Sequence, residues 1–290
     1  MKIRLVILLL APIGFLFTNC TEDSAGDLPP TPTFTASQTF LRMGETVVFQ
    51  NTSDDAEKYI WDFGDGSAKE ELKDKFTPVQ HTFTNVGNFH VYLTSVSSSG
   101  EEVESSMIIR VGILELQSAE LRAYPLMDTI DNLGQITEIP WDEDSGPDLR
   151  LAVLKSGSNY LLSDLYPNLE ETDLPLTMSM SGFEQSGFWL AGDPFIITTV
   201  EEDTVDGISN LFIMNSEILV ETPFNELQRS TSDPLSFSGD FETETSDLEV
   251  SLQSQLYLFT DTVFLQQSAR KQKELQLPKR IEDKLNQFSM

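Results

Sequence analysis

The chain is 290 residues long and carries 47 acidic against 18 basic side chains, a net charge of −29 at neutral pH. An acidic body of this kind repels phosphate backbones and argues against nucleic-acid binding. A hydrophobic share of 39%, with 19 phenylalanines, excludes a disordered chain, and the length suits two domains of ordinary size.

Lys2 and Arg4 precede an apolar run from Leu5 to Phe17, broken only by Pro12 and Gly14. A positive start followed by about a dozen apolar residues has the form of a secretory signal and is too short to span a bilayer. The run ends in Leu16-Phe17-Thr18-Asn19-Cys20, and Cys20 is the only cysteine. This segment resembles a bacterial lipoprotein signal, although Phe17 and Asn19 stand where that family favours Leu and Gly or Ala. The resemblance implies removal of residues 1–19 and lipidation of Cys20, which would anchor the protein in the outer membrane. The other reading of Cys20 is an ordinary buried thiol beside a signal peptide. Residues 20–32 form an acidic, Pro-rich linker. Its Thr21-Glu22-Asp23-Ser24 resembles the surface-export signal of Bacteroidota lipoproteins, and Pro29-Pro30-Thr31-Pro32 reads as an extended stalk.

Residues 33–112 have a dense order of β signals. Gly44 and the strand Thr46-Val47-Val48-Phe49 lead to Asn51-Thr52-Ser53, and Tyr59-Ile60 runs into Trp61-Asp62-Phe63-Gly64-Asp65-Gly66. Trp61 and Phe63, two apart, point to one strand face, as do His81 and Phe83, and Phe89, Val91 and Leu93. Asp65-Gly66 after Gly64 supplies residues tolerant of positive φ, as a tight turn requires. Asp62 and Asp65 read either as turn formers or as a metal or ligand site. Pro78, Gly87, Gly100 and the strand Met107–Val111 complete the order. The segment from Pro30 to Gly112 resembles the PKD (polycystic kidney disease) family. That implies an immunoglobulin-like β-sandwich used mostly as a spacer or adhesive unit. The resemblance makes Trp61, Asp62, Phe63, Gly64, Asp65, Gly66 and His81 structural residues, with His81 in the framework and His90 facing outward.

Residues 113–265 again read as short strands between turn signals: Ser118–Tyr124, Leu149–Leu154, Leu174–Met180, Phe195–Val200, Leu235–Phe241 and Leu248–Phe259. No sustained helical period competes, so the core is expected to be all-β, a second sandwich, with helix only in the tail. Residues 266–290 gather Arg270, Lys271, Lys273, Lys279, Arg280 and Lys284 into a basic, helical tail. It reads either as a docking element or as a solvated end. In the second domain, Trp141 to Leu149 and Ile197 to Gly207 resemble the first and third loops of a C2-like domain, where acidic loops share calcium. Carried over residue by residue, Asp142 and Asp148 would come from the first loop. Glu201, Asp203 and Asp206 would come from the third, with Glu201 standing where the family favours Asp. Calcium would then stiffen loops. Solvated loop charge is the competing reading.

No Gly-x-Ser-x-Gly elbow, His-Glu-x-x-His helix or phosphate-cradling glycine loop occurs, and the two histidines read as structural. The sequence therefore predicts a non-enzymatic outer-membrane surface lipoprotein, without organic cofactor, that binds or displays a protein or glycan. The alternatives are a structural subunit of an envelope assembly, with the PKD-like domain as spacer, and a hydrolase or its accessory module.

Overall fold

The computed structural model describes residues 29–258 other than 133–134, 143–144, 156–158, 181–189, 191 and 206–207, together with Lys279. The signal segment, Cys20, most of the linker, Asp206 and the rest of the basic tail lie outside the described residues.

The first sandwich is built from β1 (Phe34–Ala36), β2 (Phe40–Arg42), β3 (Thr46–Asn51), β4 (Lys58–Asp62), β5 (Glu70–Leu72), β6 (Val79–Thr82), β7 (Gly87–Val96) and β8 (Glu102–Ala123). One sheet has the order β1-β3-β6; the facing sheet runs β5-β4-β7-β8, and β2 lies parallel to β8. Alternation along β4 turns Tyr59 and Trp61 inward, as the period of two requires. Trp61 is fully buried, with Phe34 edge-on at 5.1 Å and Phe49 tilted at 5.6 Å between ring centres. Burying such a cluster is the main favourable term for a domain without a disulfide.

The second sandwich adds β9 (Met127–Asn132), β10 (Gln135–Pro140), β11 (Leu149–Lys155), β12 (Asn159–Leu162), β13 (Leu176–Ser179), β14 (Phe195–Val205), β15 (Ile208–Val220), β16 (Gln228–Arg229), β17 (Ser236–Glu242) and β18 (Glu249–Leu258). One sheet is β12-β11-β14-β15; the other joins β16-β17-β18 to β8, with β13 on the opposite edge of β8. Leu151, Val153, Phe195 and Ile197 from the first pack with Leu121, Phe237 and Leu252 from the second. The β9–β10 hairpin forms a two-stranded sheet of its own. The expectation that helix is confined to the tail does not hold. A single helical turn, α1 (Pro223–Glu226), starts at a proline, and a 3₁₀ turn covers Glu171–Asp173. Proline at the first helical position has its φ already set for the turn.

The two sandwiches share one strand. β8 has 22 residues, a span of about 70 Å, and crosses the expected boundary at residues 112–113 without a break. Its odd residues Ile109 and Val111 belong to the first core, its even residues Leu114 and Leu116 to the second. Alternate residues of a strand point to opposite faces, so β8 offers one face to each core. A register shift against β18 skips Gln117, after which odd residues Ala119 and Leu121 rejoin the second core. At the crossing, Gly112 lies so close to β18 that a Cβ would sit 2.2 Å from the Tyr257 carbonyl oxygen.

Arg42, at the end of β2, closes the junction. Only 5% of it is exposed. Its guanidinium donates to the Leu227 carbonyl at 3.2 Å, the Phe224 carbonyl at 3.0 Å and Glu45 at 3.0 Å. It lies over the rings of Phe224 at 4.4 Å and Phe237 at 4.8 Å. Arg229 donates to the same Glu45 at 3.2 Å. Burial works to raise the Glu45 carboxyl, but hydrogen bonds and charge from Arg42 outweigh it and hold the pKa below the ordinary value. Phe40 adds its ring to the second core.

Candidate functional site

The hexapeptide of the first sandwich is a turn held by its own side chains. Asp62 Oδ1 accepts from the Gly64 N–H at 3.0 Å, and Asp65 Oδ1 accepts from the Ser67 N–H at 3.0 Å. Gly64 has φ +71, and a Cβ there would lie 2.4 Å from the His90 carbonyl oxygen, so no larger residue fits. Asp65 Oδ2 lies 2.7 Å from His81 Nε2, while the His81 ring stacks on Phe63 at 3.8 Å. The carboxyls of Asp62 and Asp65 are both held below the usual range. For Asp62 the leading cause is the hydrogen bond from Lys69. For Asp65, burial opposes the shift and hydrogen bonds from Ser67 and His81 overcome it. With its oxygens so engaged, this constellation fixes the sandwich and leaves little to offer a ligand.

A different arrangement occurs at the far end of the second sandwich. β10 ends at Pro140, and the bend that follows carries Trp141 and Asp142; Asp148 precedes β11, and Glu201 and Asp203 lie on β14. One carboxylate oxygen from each of Asp142, Glu201 and Asp203 lies within 4.8 Å of the other two. The third-loop reading of Glu201 to Val205 is corrected here. These residues continue β14 and pair with β15, Glu201 opposite Phe212 and Asp203 opposite Asn210. The run of acids hides a strand because each charge has a separate reason to be there. Glu202 turns to the opposite face and is bonded by the Arg150 guanidinium. Glu201, 2% exposed, accepts from the Asp148 N–H through Oε1 at 3.1 Å.

Asp148 contributes mainly through its backbone. Its carboxylate Oδ1 accepts from the Asn168 N–H at 2.9 Å, outside the three-carboxylate group. Burial raises the Glu201 carboxyl to about 7; the Asp148 N–H opposes this, and the charges of Asp142, Asp203 and Asp148 add to it. Asp203 is raised by burial first and then by Asp142 and Asp148. The structure thus brings together Asp142, Glu201 and Asp203, and sets Asp148 beside them with its side chain otherwise engaged. Three converging carboxylates suit a hard cation, which takes oxygen ligands.

Beside this group is a groove of about 800 Å³, lined among others by Tyr124, Leu126, Met127, Glu138, Leu174 and Asp247. It lies between the hairpin and the sandwich, and its rim exposes Leu126 and Met127. Trp141 Nε1 donates to the Pro125 carbonyl at 2.9 Å, and the Tyr124 hydroxyl donates to the Leu169 carbonyl at 2.5 Å. Burial, with the negative charges of Glu170, Asp173, Glu171 and Glu201, pushes the Tyr124 phenol up to about 12. The sequence reading missed this groove. Its one signal is the apolar pair Leu126-Met127 directly after Pro125, where a strand should end.

Residues 32–109 match the family model described as PKD domain. No curated protein matches the chain. Among solved structures, the chain is similar to one of the carbohydrate-binding modules from the β-sandwich superfamily. That likeness has 16% identity and a TM-score of 0.26, and covers 67% of this chain and 99% of the other. It is also similar to the fibronectin(III)-like modules of Clostridium thermocellum CbhA, at 14% identity and a TM-score of 0.25, over 68% of this chain and 99% of the other.

Proposed function

We propose that this chain is a non-catalytic lipoprotein of the bacterial surface, a stiff arm that holds a ligand-binding end away from the outer membrane. Cys20 carries the anchor, the Pro-rich stretch leads outward, the PKD-like sandwich is the spacer, and the second sandwich presents the groove to a protein or glycan. The single observation that supports this most is the unbroken β8, shared by both cores and closed over by Arg42. A hinge between the two sandwiches would need a linker with few contacts across it. Here a buried arginine and a phenylalanine ring cross the junction instead. The groove and its exposed apolar rim lie at the end of the second sandwich where β8 finishes, the end remote from the PKD-like domain.

The test is a photocrosslinking residue in place of Met127, in whole cells, with a second at His90 on an exposed strand position of the first sandwich. Adducts to a defined protein or glycan from position 127 and not from 90 are expected. Stoichiometric capture of the same envelope proteins from both positions would make the chain a structural subunit. Turnover of a polysaccharide or peptide by the purified chain, lost on changing one carboxylate, would overturn the non-catalytic reading.

A further inference from the structure

A buried carboxylate usually has every oxygen engaged, because leaving one unbonded forfeits its hydration without return. Glu201 breaks that pattern. Its Oε1 takes the Asp148 N–H, while Oε2 is buried and has no hydrogen-bond partner. The same carboxylate faces Asp142 and Asp203, so like charges crowd it from two sides. The nearby Arg150 does not relieve it: that guanidinium is bonded to Glu202 and to the Ser163 carbonyl.

We propose that Asp142, Glu201 and Asp203 together hold one divalent cation of the calcium type at the foot of the β9–β10 hairpin. A calcium ion binds oxygens at about 2.3–2.6 Å, so carboxylate oxygens within 4.8 Å of one another stand at, or a slight side-chain adjustment from, the spacing that a single ion requires. It supplies the free Glu201 oxygen with its missing partner and turns three mutually repelling carboxylates into ligands. Magnesium demands a tighter octahedron and gives up water reluctantly, which suits a site of mixed Asp and Glu stems less well. This goes beyond the display function, since it assigns a ligand to the presenting end itself.

The placement also gives the ion a mechanical consequence. Asp142 follows Trp141, whose ring nitrogen is bonded to Pro125, just ahead of β9, so these two residues close the base of the hairpin. Glu201 and Asp203 belong to β14, a central strand of the second sandwich. A cation bridging them ties the hairpin's base to the sandwich, and with it the groove wall that contains Met127 and Glu138.

The experiment uses the intact chain, stripped with chelator and titrated calorimetrically with calcium and with magnesium at neutral pH. Wild type should bind calcium at one saturable site, within the range of about 10⁻⁴–10⁻³ M typical of extracellular modules, and magnesium more weakly. Calcium should raise the melting temperature and slow amide exchange across residues 127–140. Glu201→Gln should melt no lower than wild type in chelator, since it removes the crowded charge, yet lose the calcium response. Asp203→Asn should weaken calcium binding about tenfold or more. Absence of a saturable site in wild type, or undiminished binding in both variants, would overturn the proposal. If Glu201 instead serves only as a buried, protonated acid, Glu201→Gln will be neutral with and without calcium, which also overturns it.

Discussion

Arg42→Ala tests the junction most simply, and its size follows from the contacts. The substitution strips a charged donor from one buried and one half-buried carbonyl, those of Leu227 and Phe224, and two rings lose the cation above them. Each carbonyl left unpaired costs about 1–3 kcal/mol. Breaking a buried ion pair outright costs about 3–5 kcal/mol, but Glu45 keeps Arg229, which trims that part. A loss of about 3 kcal/mol is therefore expected, or a fall of about 6–12 °C in melting temperature for a protein of this size. Calorimetry on the intact chain reads it directly, with Arg122→Ala as comparison. Arg122 also pairs with two carboxylates, Glu120 and Asp240, but on the exposed face of the sheet, and its loss should barely move the transition. Equal small shifts for both variants would refute the reasoning, because burial of Arg42 would then contribute nothing.

Gly112→Ala should destabilise by about 1–3 kcal/mol, since its Cβ must displace the Tyr257 carbonyl, a backbone atom that cannot swing aside; urea titration measures it. A fragment beginning at residue 113 should fail to give a cooperative melt, because it cuts β8 and removes Phe40 and Arg42 from the second sandwich; retained cooperativity would show the sandwiches to be independent. Glu45 has a depressed folded-state pKa, so it adds stability above its unfolded value near 4.5 and loses it as pH falls through the lower folded value. Acid melts of wild type against Glu45→Gln should converge in that window and separate above it.

The first sandwich was legible because its side chains alternate with a period of two and its turns carry Gly64, Asp65 and Gly66, so residue type and position agree. Strand identities in the second half were legible too, apart from β9, β10, β12, β15 and the two-residue β16. The shared strand was not. Gly112 reads as the end of the first domain, because a glycine that permits close strand approach looks in sequence like one that ends a strand. The Arg42 contacts were beyond reach because their partners lie 182 and 185 residues away. Among the acids, the sequence reading placed Asp142, Asp148, Glu201, Asp203 and Asp206 together; the structure brings the carboxylates of Asp142, Glu201 and Asp203 within 4.8 Å of one another and turns Asp148 Oδ1 to the Asn168 N–H. The sequence reading took the second half of β14, Glu201 to Val205, for a loop, however, because charge in a strand is explained only by burial and pairing that composition does not reveal.

The stiffness of the arm is tested most directly by pulsed electron–electron resonance between spin labels at Thr84 and Glu171, exposed positions on the first and second sandwiches, with Cys20 replaced by serine. The account predicts one narrow distance distribution in the wild-type background, broadened by Arg42→Ala. A broad or multimodal distribution in the wild-type background itself would mean that the two sandwiches swing freely, and would contradict the reading of this chain as a rigid display arm.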